Sequence, residues 1–259
     1  MNLLVYTLLV VLPVVAVGQT TKKQSPQPRP SAPSKLFSLV EVIGIESFAR
    51  TYWELAAEKN ADYKPKSAQE AIAGIDEFIG SSVGTDEGRR GLLVEQALFK
   101  KHRASLSDLV SLSLLPLLYD EAPVRFALKD EALTLLLTTL ASEDVYNTLR
   151  LDAKQRAATE IQAVALPAIK QFRVVDSPDI KNVGVLVVYG TRDFSKSDSI
   201  LTRKGELVGL VAQADRCKRL GRAELTEEEF VDTADVYLVD RDMTSGVRKI
   251  KVSLSDAAK

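Results

Sequence analysis

The spacing of apolar residues changes near Asp176, and this change constrains the fold more than any other feature of the sequence. Before this point, apolar residues recur at steps of three and four, as they do along one face of a helix. After it come short, continuous runs rich in β-branched residues, and 183–189 (VGVLVVY) is typical of a buried strand. The sequence therefore predicts an α+β protein. An irregular N-terminal helical bundle over 36–175 is followed by a small, mainly antiparallel β-sheet domain over 176–259.

Prolines and capping residues predict where the helices of the bundle begin and end. A proline suits the first turn of a helix, so Pro123 predicts the start of one. The apolar residues expected on its face are Leu133, Leu136, Leu137 and Leu140. Asp152 can cap a last long helix, which Pro167 should kink. Further predictions are a capping box at Ser67 and Glu70, a helix start near Thr85 or Asp86 and a buried helix over 106–119.

The second domain is predicted to have the element order β-β-α-α-β-β. The expected strands are 183–189, 206–212, 236–239 and 247–254, and the expected helices are 215–222 and one capped by Thr226 and Glu229. In the last strand, Ile250, Val252 and Leu254 share one face and lysines occupy the other. That alternation indicates a sheet face open to water.

The N-terminal sequence predicts export. Residues 3–17 are uncharged and almost wholly apolar, and the run ends in Ala16-Val17-Gly18, with small residues at the two positions that a signal peptidase reads. This is the pattern of a secretory signal peptide over 1–18. The apolar run is shorter than the about 20 residues that a membrane-spanning helix needs, which favours cleavage. Because no Lys or Arg precedes the run, an uncleaved anchor stays open as an alternative. Residues 19–35 are rich in Pro, Ser and Gln and predict a disordered linker.

Net charge and cysteine content indicate which partners the protein could bind and in which compartment it is located. The formal net charge is -1, which predicts no bulk attraction to nucleic acid. Cys217 is the only cysteine, so no intrachain disulfide can form. This fits a bacterial periplasmic or secreted protein better than a eukaryotic secreted one. Cationic neighbours would lower the pKa of the Cys217 thiol, but a half-buried apolar role on a helix explains this residue better.

Two patterns resemble catalytic motifs, and both have simpler explanations. Residues 80–84 (GSSVG) have the spacing of a nucleophile elbow, but the elbow needs a strand before the serine, where we predict a helix. His102 is the only histidine and lies between Lys101 and Arg103, which fits a solvated helix end. One histidine and one cysteine exclude the usual zinc motifs. We therefore predict no metal and no cofactor, and the catalytic residues are unknown.

Three groups of charged residues remain, each with an ordinary explanation. Residues 240–246 resemble a calcium loop only faintly, because the glycine comes one place late and the distal Glu is missing; a hairpin turn is favoured. A basic helical patch could meet an anionic polymer or headgroup, but nearby acids predict a self-paired surface. Its members are Arg216, Lys218, Arg219 and Arg222. The carboxylates that could serve a hydrolase are Glu227, Glu228, Glu229, Asp232 and Asp235 on a polar helix face, and Glu46 and Glu54 beside Trp53.

The lack of a catalytic triad, phosphate loop or metal set in the sequence favours binding over catalysis. We predict an exported, non-enzymatic binding or interaction protein of the cell envelope or extracellular space, with no membrane span after signal cleavage. Its expected partner is another envelope or extracellular protein. The alternative is a carboxylate-dependent hydrolase acting on envelope polymer. A cleft holding two facing carboxylates, one with a raised pKa, would favour the hydrolase.

Overall fold

One mixed β-sheet with helices on both faces forms the fold, so the α+β class is confirmed. The computed structural model describes residues 36–47, 86–112, 124–195, 203–240 and 246–257. Before the sheet come helix α1 over 39–47 and helix α2 (Asp86–Leu112). The strands are β1 (Val124–Lys129), β2 (Ala132–Asn147), β3 (Asn182–Arg192), β4 (Arg203–Gln213), β5 (Asp235–Asp240) and β6 (Arg248–Ile250).

The six described strands lie in the sheet in the order in which they occur along the chain. All neighbours are antiparallel except β2 and β3, which are parallel. A parallel pair needs a crossover, and a helical segment supplies it here. The segment consists of α3 (Ala153–Glu160), a π turn (Ile161–Ala165), α4 (Leu166–Ile169) and a 3₁₀ turn (Lys170–Val174). Helices α5 (Ala214–Gly221) and α6 (Glu227–Val231) join β4 to β5.

The predicted helix after Pro123 is wrong, because 124–147 form the hairpin of β1 and β2. The turn consists of Asp130 and Glu131, whose φ angles of 49° and 61° are those of a two-residue hairpin loop. Residues 134–138 of strand β2 are buried on both faces, so the leucines there do not alternate with exposed polar residues. A continuous apolar run of this kind fits a helix spacing as well as a buried strand.

The sheet therefore extends across residue 175, where the sequence placed the end of the helical bundle. Leu135 of β2 pairs with Val183 of β3, for example. The predicted four-stranded sheet is thus part of a larger one, to which two earlier strands contribute. Strand β6 is also shorter than predicted, since a 3₁₀ turn (Leu254–Asp256) follows it, although Ile250, Val252 and Leu254 do pack against one core.

Each face of the sheet packs against helices in its own core. On β3, Val183, Val185, Val187 and Tyr189 face α3 to α5, whereas Leu186 and Val188 face α1. The sheet is strongly curled, since the Lys129 ammonium on β1 lies 3.1 Å from the Asp235 carboxylate on β5 although three strands separate them. Gly184 and Gly209 lie on the α1 side, where an added Cβ would come within 2.9 Å of a leucine side chain. Their lack of a side chain permits the close packing on this face.

Helix α2 and the segment before α1 cover the edge strand β1. The outward amide of Phe126 donates to Glu95 Oε1 at 2.8 Å, and that of Leu128 donates to the Phe37 carbonyl at 2.8 Å. Glu95 also accepts from the Arg125 guanidinium, which bonds Glu46 of α1 on another nitrogen. An uncovered edge would pair with other chains, so these contacts protect the sheet from edge-to-edge association.

Several local predictions are confirmed. Asp152 caps α3 and Thr226 caps α6, each in a full capping box. The π turn immediately precedes the helical turn that holds Pro167, where the proline lacks an N–H and its ring crowds the preceding turn. The predicted signal peptide, the linker, the Ser67–Glu70 box and the 80–84 motif lie outside the described residues. Among the residues that are described, no helix is long and apolar enough to cross a membrane.

Candidate functional site

His102 does not lie at a solvated helix end, so that prediction is wrong. It lies within α2, its side chain is 6% exposed, and its ring packs 5.7 Å from the ring of Phe126. Burial and the nearby Lys101 lower the pKa of the imidazole, which Asp179 opposes. A neutral, buried imidazole is therefore part of the core and has no access to a substrate.

Cys217 occupies the helix-side core between β4 and α6, with 0% of its surface exposed. Burial raises the pKa of its thiol far above the ordinary value, and the opposing effect of Arg216 is smaller. The apolar interpretation is therefore confirmed, although the residue is fully rather than half buried. The reactive-thiol interpretation needs both exposure and a lowered pKa, and Cys217 has neither.

We expect the Cys217 thiol to react with a chromogenic disulfide reagent only when the protein unfolds. Both access and thiolate formation are suppressed in the folded state. Labelling rates measured across a urea series should follow the unfolded fraction determined by circular dichroism. Rapid labelling without denaturant would contradict the burial of this side chain.

The other predicted charged groups are largely self-paired. Glu46 is buried against Arg125, at 2.5 Å between Oε1 and Nη1, and so does not line a groove; Glu54 and Trp53 lie outside the described residues. In the basic patch, Lys218 lies 3.4 Å from Asp176, and Arg222 lies 3.7 Å from Glu224. In the segment 240–246, where a hairpin turn is favoured over a calcium loop, Asp240 accepts from Arg248 at 3.2 Å, and 241–245 lie outside the described residues. Among the described residues, no three His, Cys, Asp or Glu side chains could hold a metal ion.

An open depression lies at the end of the sheet where β3 begins and β4 ends. It consists of two adjoining cavities of about 510 Å³ and about 270 Å³, which share Lys129, Asn182 and Gln213. The antiparallel register places Asn182 directly opposite Gln213. The first cavity extends to the loop before β3 and to the first turn of α5, and the second extends to Arg216 and Asp235. We call these two cavities together the sheet-end depression.

One wall of the sheet-end depression is a neutral network of charges. Lys129 lies 3.1 Å from both Asp130 and Asp235, and Lys249 lies 2.6 Å from Asp235. Burial lowers the pKa of Lys129, but its hydrogen bonds to the two carboxylates outweigh this and leave the pKa raised. Burial likewise raises the pKa of Asp235, but hydrogen bonds from Lys249 and Lys129 leave it lowered. The two ammonium groups and the two carboxylates therefore offset one another.

The rest of the lining mixes apolar residues with polar and charged ones, and its cations outnumber its carboxylates. The charged members are Lys181, Arg216, Lys218 and Asp215, and Lys218 also lies 3.4 Å from Asp176. Arg216 is held in place by a bond from Nη2 to the Glu229 carbonyl at 3.1 Å. Sequence analysis identified Arg216 and Lys218 as a surface patch but missed Lys129, Asn182 and Gln213. The sequence does carry a signal for two of these residues, namely their position. Asn182 immediately precedes the apolar run that predicts β3, and Gln213 immediately follows the run that predicts β4.

A second polar cluster is buried between the sheet and α3. Glu206 accepts from the Tyr189 hydroxyl at 2.8 Å and from two nitrogens of Arg156, with Arg156 Nε at 3.0 Å. Next to it, the Tyr146 hydroxyl donates to Glu160 Oε1 at 2.8 Å, and the rings of Tyr146 and Tyr189 are 5.6 Å apart. Glu160 is 0% exposed and immediately precedes the π turn. Burial raises the pKa of Glu160, and its hydrogen bond from Tyr146 opposes this only in part.

We expect Glu160 to make the folded state less stable as the pH rises. The pKa of Glu160 is higher in the folded protein than in the unfolded chain, where it is about 4.3. The protonated side chain therefore contributes fully to the free energy of unfolding below that unfolded value, and the contribution is lost as the pH rises through the pKa of the folded protein. Glu160→Gln stays neutral and should remove this part of the pH dependence. Urea midpoints of both proteins over a pH series measure it, with the exposed Glu228→Gln as control. Parallel profiles for wild type and Glu160→Gln would contradict the raised pKa.

Neither the sheet-end depression nor the buried cluster can be assigned by likeness to another protein. Comparison of this chain with family models, with curated proteins and with solved structures finds no match, so its function has to be argued from its own residues.

Proposed function

We propose that this chain is an exported, non-enzymatic binding or interaction protein, and that the sheet-end depression is its binding site. The observation that carries the proposal is the contrast between the two polar clusters. The sheet-end depression is open and presents charged and polar side chains to solvent, whereas Glu160 and Glu206 are buried. A binding protein needs an accessible surface with groups that can form new bonds.

The proposed partner is another protein of the cell envelope or extracellular space, and the proposed location is periplasmic or secreted. Support for the location comes from the apolar run at 3–17 and from the single cysteine. Support for the partner comes from the shape of the site, since two shallow adjoining cavities suit a surface loop or chain end better than an enclosed small molecule. Cell fractionation tests the location, which full-length chain in the cytosol would contradict.

A pull-down from envelope extract with immobilised 19–259 tests the binding site. Lys181→Glu with Lys218→Glu reverses two charges at the sheet-end depression. The matched control, Arg150→Glu with Lys154→Glu, makes the same charge change at exposed positions near the start of α3. We expect a stoichiometric protein to be retained by the wild type and the control, and to be lost from the first variant. Equal retention by both variants would place the binding surface elsewhere.

A carboxylate-dependent hydrolase acting on envelope polymer is the second candidate. One observation favours it, namely the raised pKa of Glu160 next to a second buried carboxylate, Glu206. A general acid and a second carboxylate are the groups that glycoside hydrolysis uses. Soluble fragments released from purified envelope polymer by the wild type, and lost in Glu160→Gln, would favour this candidate. No release by the wild type would exclude it for that polymer.

A further inference from the structure

We propose that the sheet-end depression recognises an anionic oxygen group, a carboxylate of the partner or a phosphate, at the first turn of α5. This inference rests on the proposed function and names the chemistry of its site. Three features of the described residues converge on that chemistry. They are a helix start without a side-chain cap, an enclosed Asn182 side chain whose amide bonds no described residue, and an excess of cations.

The first turn of α5 offers backbone donors to the site. Helix α5 has 8 residues, and its N-cap, Gln213, makes no side-chain capping bond. The amide of Ala214 donates to the Lys181 carbonyl at 2.9 Å, which anchors the turn against the loop before β3. The first N–H groups of a helix lack intrahelical acceptors and carry the positive end of its dipole. Ala214 and Asp215 line the larger cavity. Because the Ala214 amide already bonds Lys181, the donors that the turn offers to a ligand are the N–H groups that follow it.

Asn182 is the second, independent observation. Its side chain is 7% exposed and lies against both cavities. Its carboxamide makes no hydrogen bond to the described residues, and its nitrogen and oxygen are not among the fully buried polar atoms, so both reach the solvent of the depression. A side chain that is otherwise enclosed holds these two atoms in a fixed position, where they can bond either water or a ligand. A ligand oxygen that accepts from the Asn182 amide would take the place of that water.

Charge selects an anion over a cation. The four groups around Lys129 offset one another, and Lys218 lies 3.4 Å from Asp176, which leaves Lys181 and Arg216 against Asp215. Arg216 adds a fixed donor, since its Nη2 is bound to the Glu229 carbonyl while its Nε is buried with no acceptor among the described residues. Guanidinium, ammonium and amide donors together suit an oxyanion. A cationic ligand would meet more repulsion than attraction here.

Nuclear magnetic resonance titration of the full chain tests the proposal directly. The probes are inorganic phosphate and an amidated penta-glutamate peptide, each compared with sodium chloride at equal ionic strength. We expect shifts of the Asn182 side-chain amide and of the backbone amides of Asp215 and Arg216. A response to the peptide points to a carboxylate of the partner, whereas a response to phosphate alone points to a soluble phosphate compound. Shifts no larger than those with chloride for both probes would overturn the proposal.

Asn182→Asp sharpens the test, because it replaces the amide donor with a carboxylate of nearly the same shape. Binding of the responsive probe should weaken about tenfold or more, as expected for a lost charge-assisted hydrogen bond. Asn147→Asp makes the same charge change at the other end of the sheet, where it pairs with Arg192, and should bind as the wild type does. An equal loss of probe binding in both variants would show that the effect comes from the change in net charge, and would overturn the assignment of the site. If neither probe binds but the pull-down still depends on Lys181 and Lys218, the anion inference fails while the proposed function stands.

Discussion

Replacing Arg125 with methionine is expected to lower the free energy of unfolding by about 3 to 5 kcal/mol. Arg125 bonds Glu95 of α2 through Nε at 2.8 Å and through Nη2 at 3.1 Å, and Glu46 of α1 through Nη1 at 2.5 Å. All three side chains are nearly inaccessible to solvent. Removing the cation would leave two carboxylates close together in a buried site, with neither water nor a counter-ion to compensate them. Urea denaturation of the variant and the wild type, followed by circular dichroism, measures the loss.

A matched set of variants separates this effect from a general loss of packing. Lys101→Met removes a cation from a largely exposed ion pair with Asp179 and should change stability far less. Adding Glu46→Leu and Glu95→Leu to Arg125→Met removes the charges together and should restore much of the lost stability. Because Glu95 also accepts from the Phe126 amide, that restoration should be incomplete. An Arg125→Met variant as stable as the wild type would show that the two carboxylates are protonated or hydrated.

Sequence patterns predict the second half of the fold well, because local signals and burial agree there. Strands β3, β4 and β5 are short apolar runs, and α6 begins at a capping pair that the structure contains. They fail for β2, where burial of 134–138 on both faces removes the alternation that distinguishes a strand from a helix. They fail for β1 because Pro123 indicates a helix start, which outweighs the short alternation of Val124, Phe126 and Leu128. The turn at Asp130 and Glu131 lacks the glycine or asparagine that marks most two-residue hairpins.

The candidate site was harder to predict, because it depends on register and curl. Asn182 and Gln213 become neighbours through antiparallel pairing across a connection that the sequence does not fix. Lys129 reaches Asp235 only because the sheet curls, which brings β1 and β5 together at this end. Charged residues such as Lys218 attract attention in a sequence, but the unpartnered amide of Asn182 is visible only once burial is known. Long-range geometry, and not residue type, therefore defines the sheet-end depression.

Replacing Glu206 with leucine is expected to lower the free energy of unfolding by about 3 to 5 kcal/mol as well. Here a buried cation, and not a pair of buried carboxylates, is left without its partner. Glu206 receives two bonds from the Arg156 guanidinium and one from the Tyr189 hydroxyl, so it ties α3 to β3 and β4. Its loss would leave the Arg156 cation buried with the Leu151 carbonyl as its acceptor, and would leave the Tyr189 hydroxyl without its carboxylate. Chemical denaturation at neutral pH measures the change.

The double variant Arg156→Met with Glu206→Leu should be markedly more stable than Glu206→Leu alone, because no buried cation then remains. Glu227→Gln is the control, since the Glu227 carboxylate bonds Lys170 at 2.5 Å but is half exposed, and its loss should cost less than about 1 kcal/mol.

The buried Arg156 cluster and the sheet-end depression also differ in their expected effect on binding. The Arg156 cluster lies away from the residues that line the sheet-end depression, so a folded Glu206→Leu protein should still shift the Asn182 amide with the responsive probe. Loss of that response in a protein shown to be folded would mean that the two ends of the sheet are coupled.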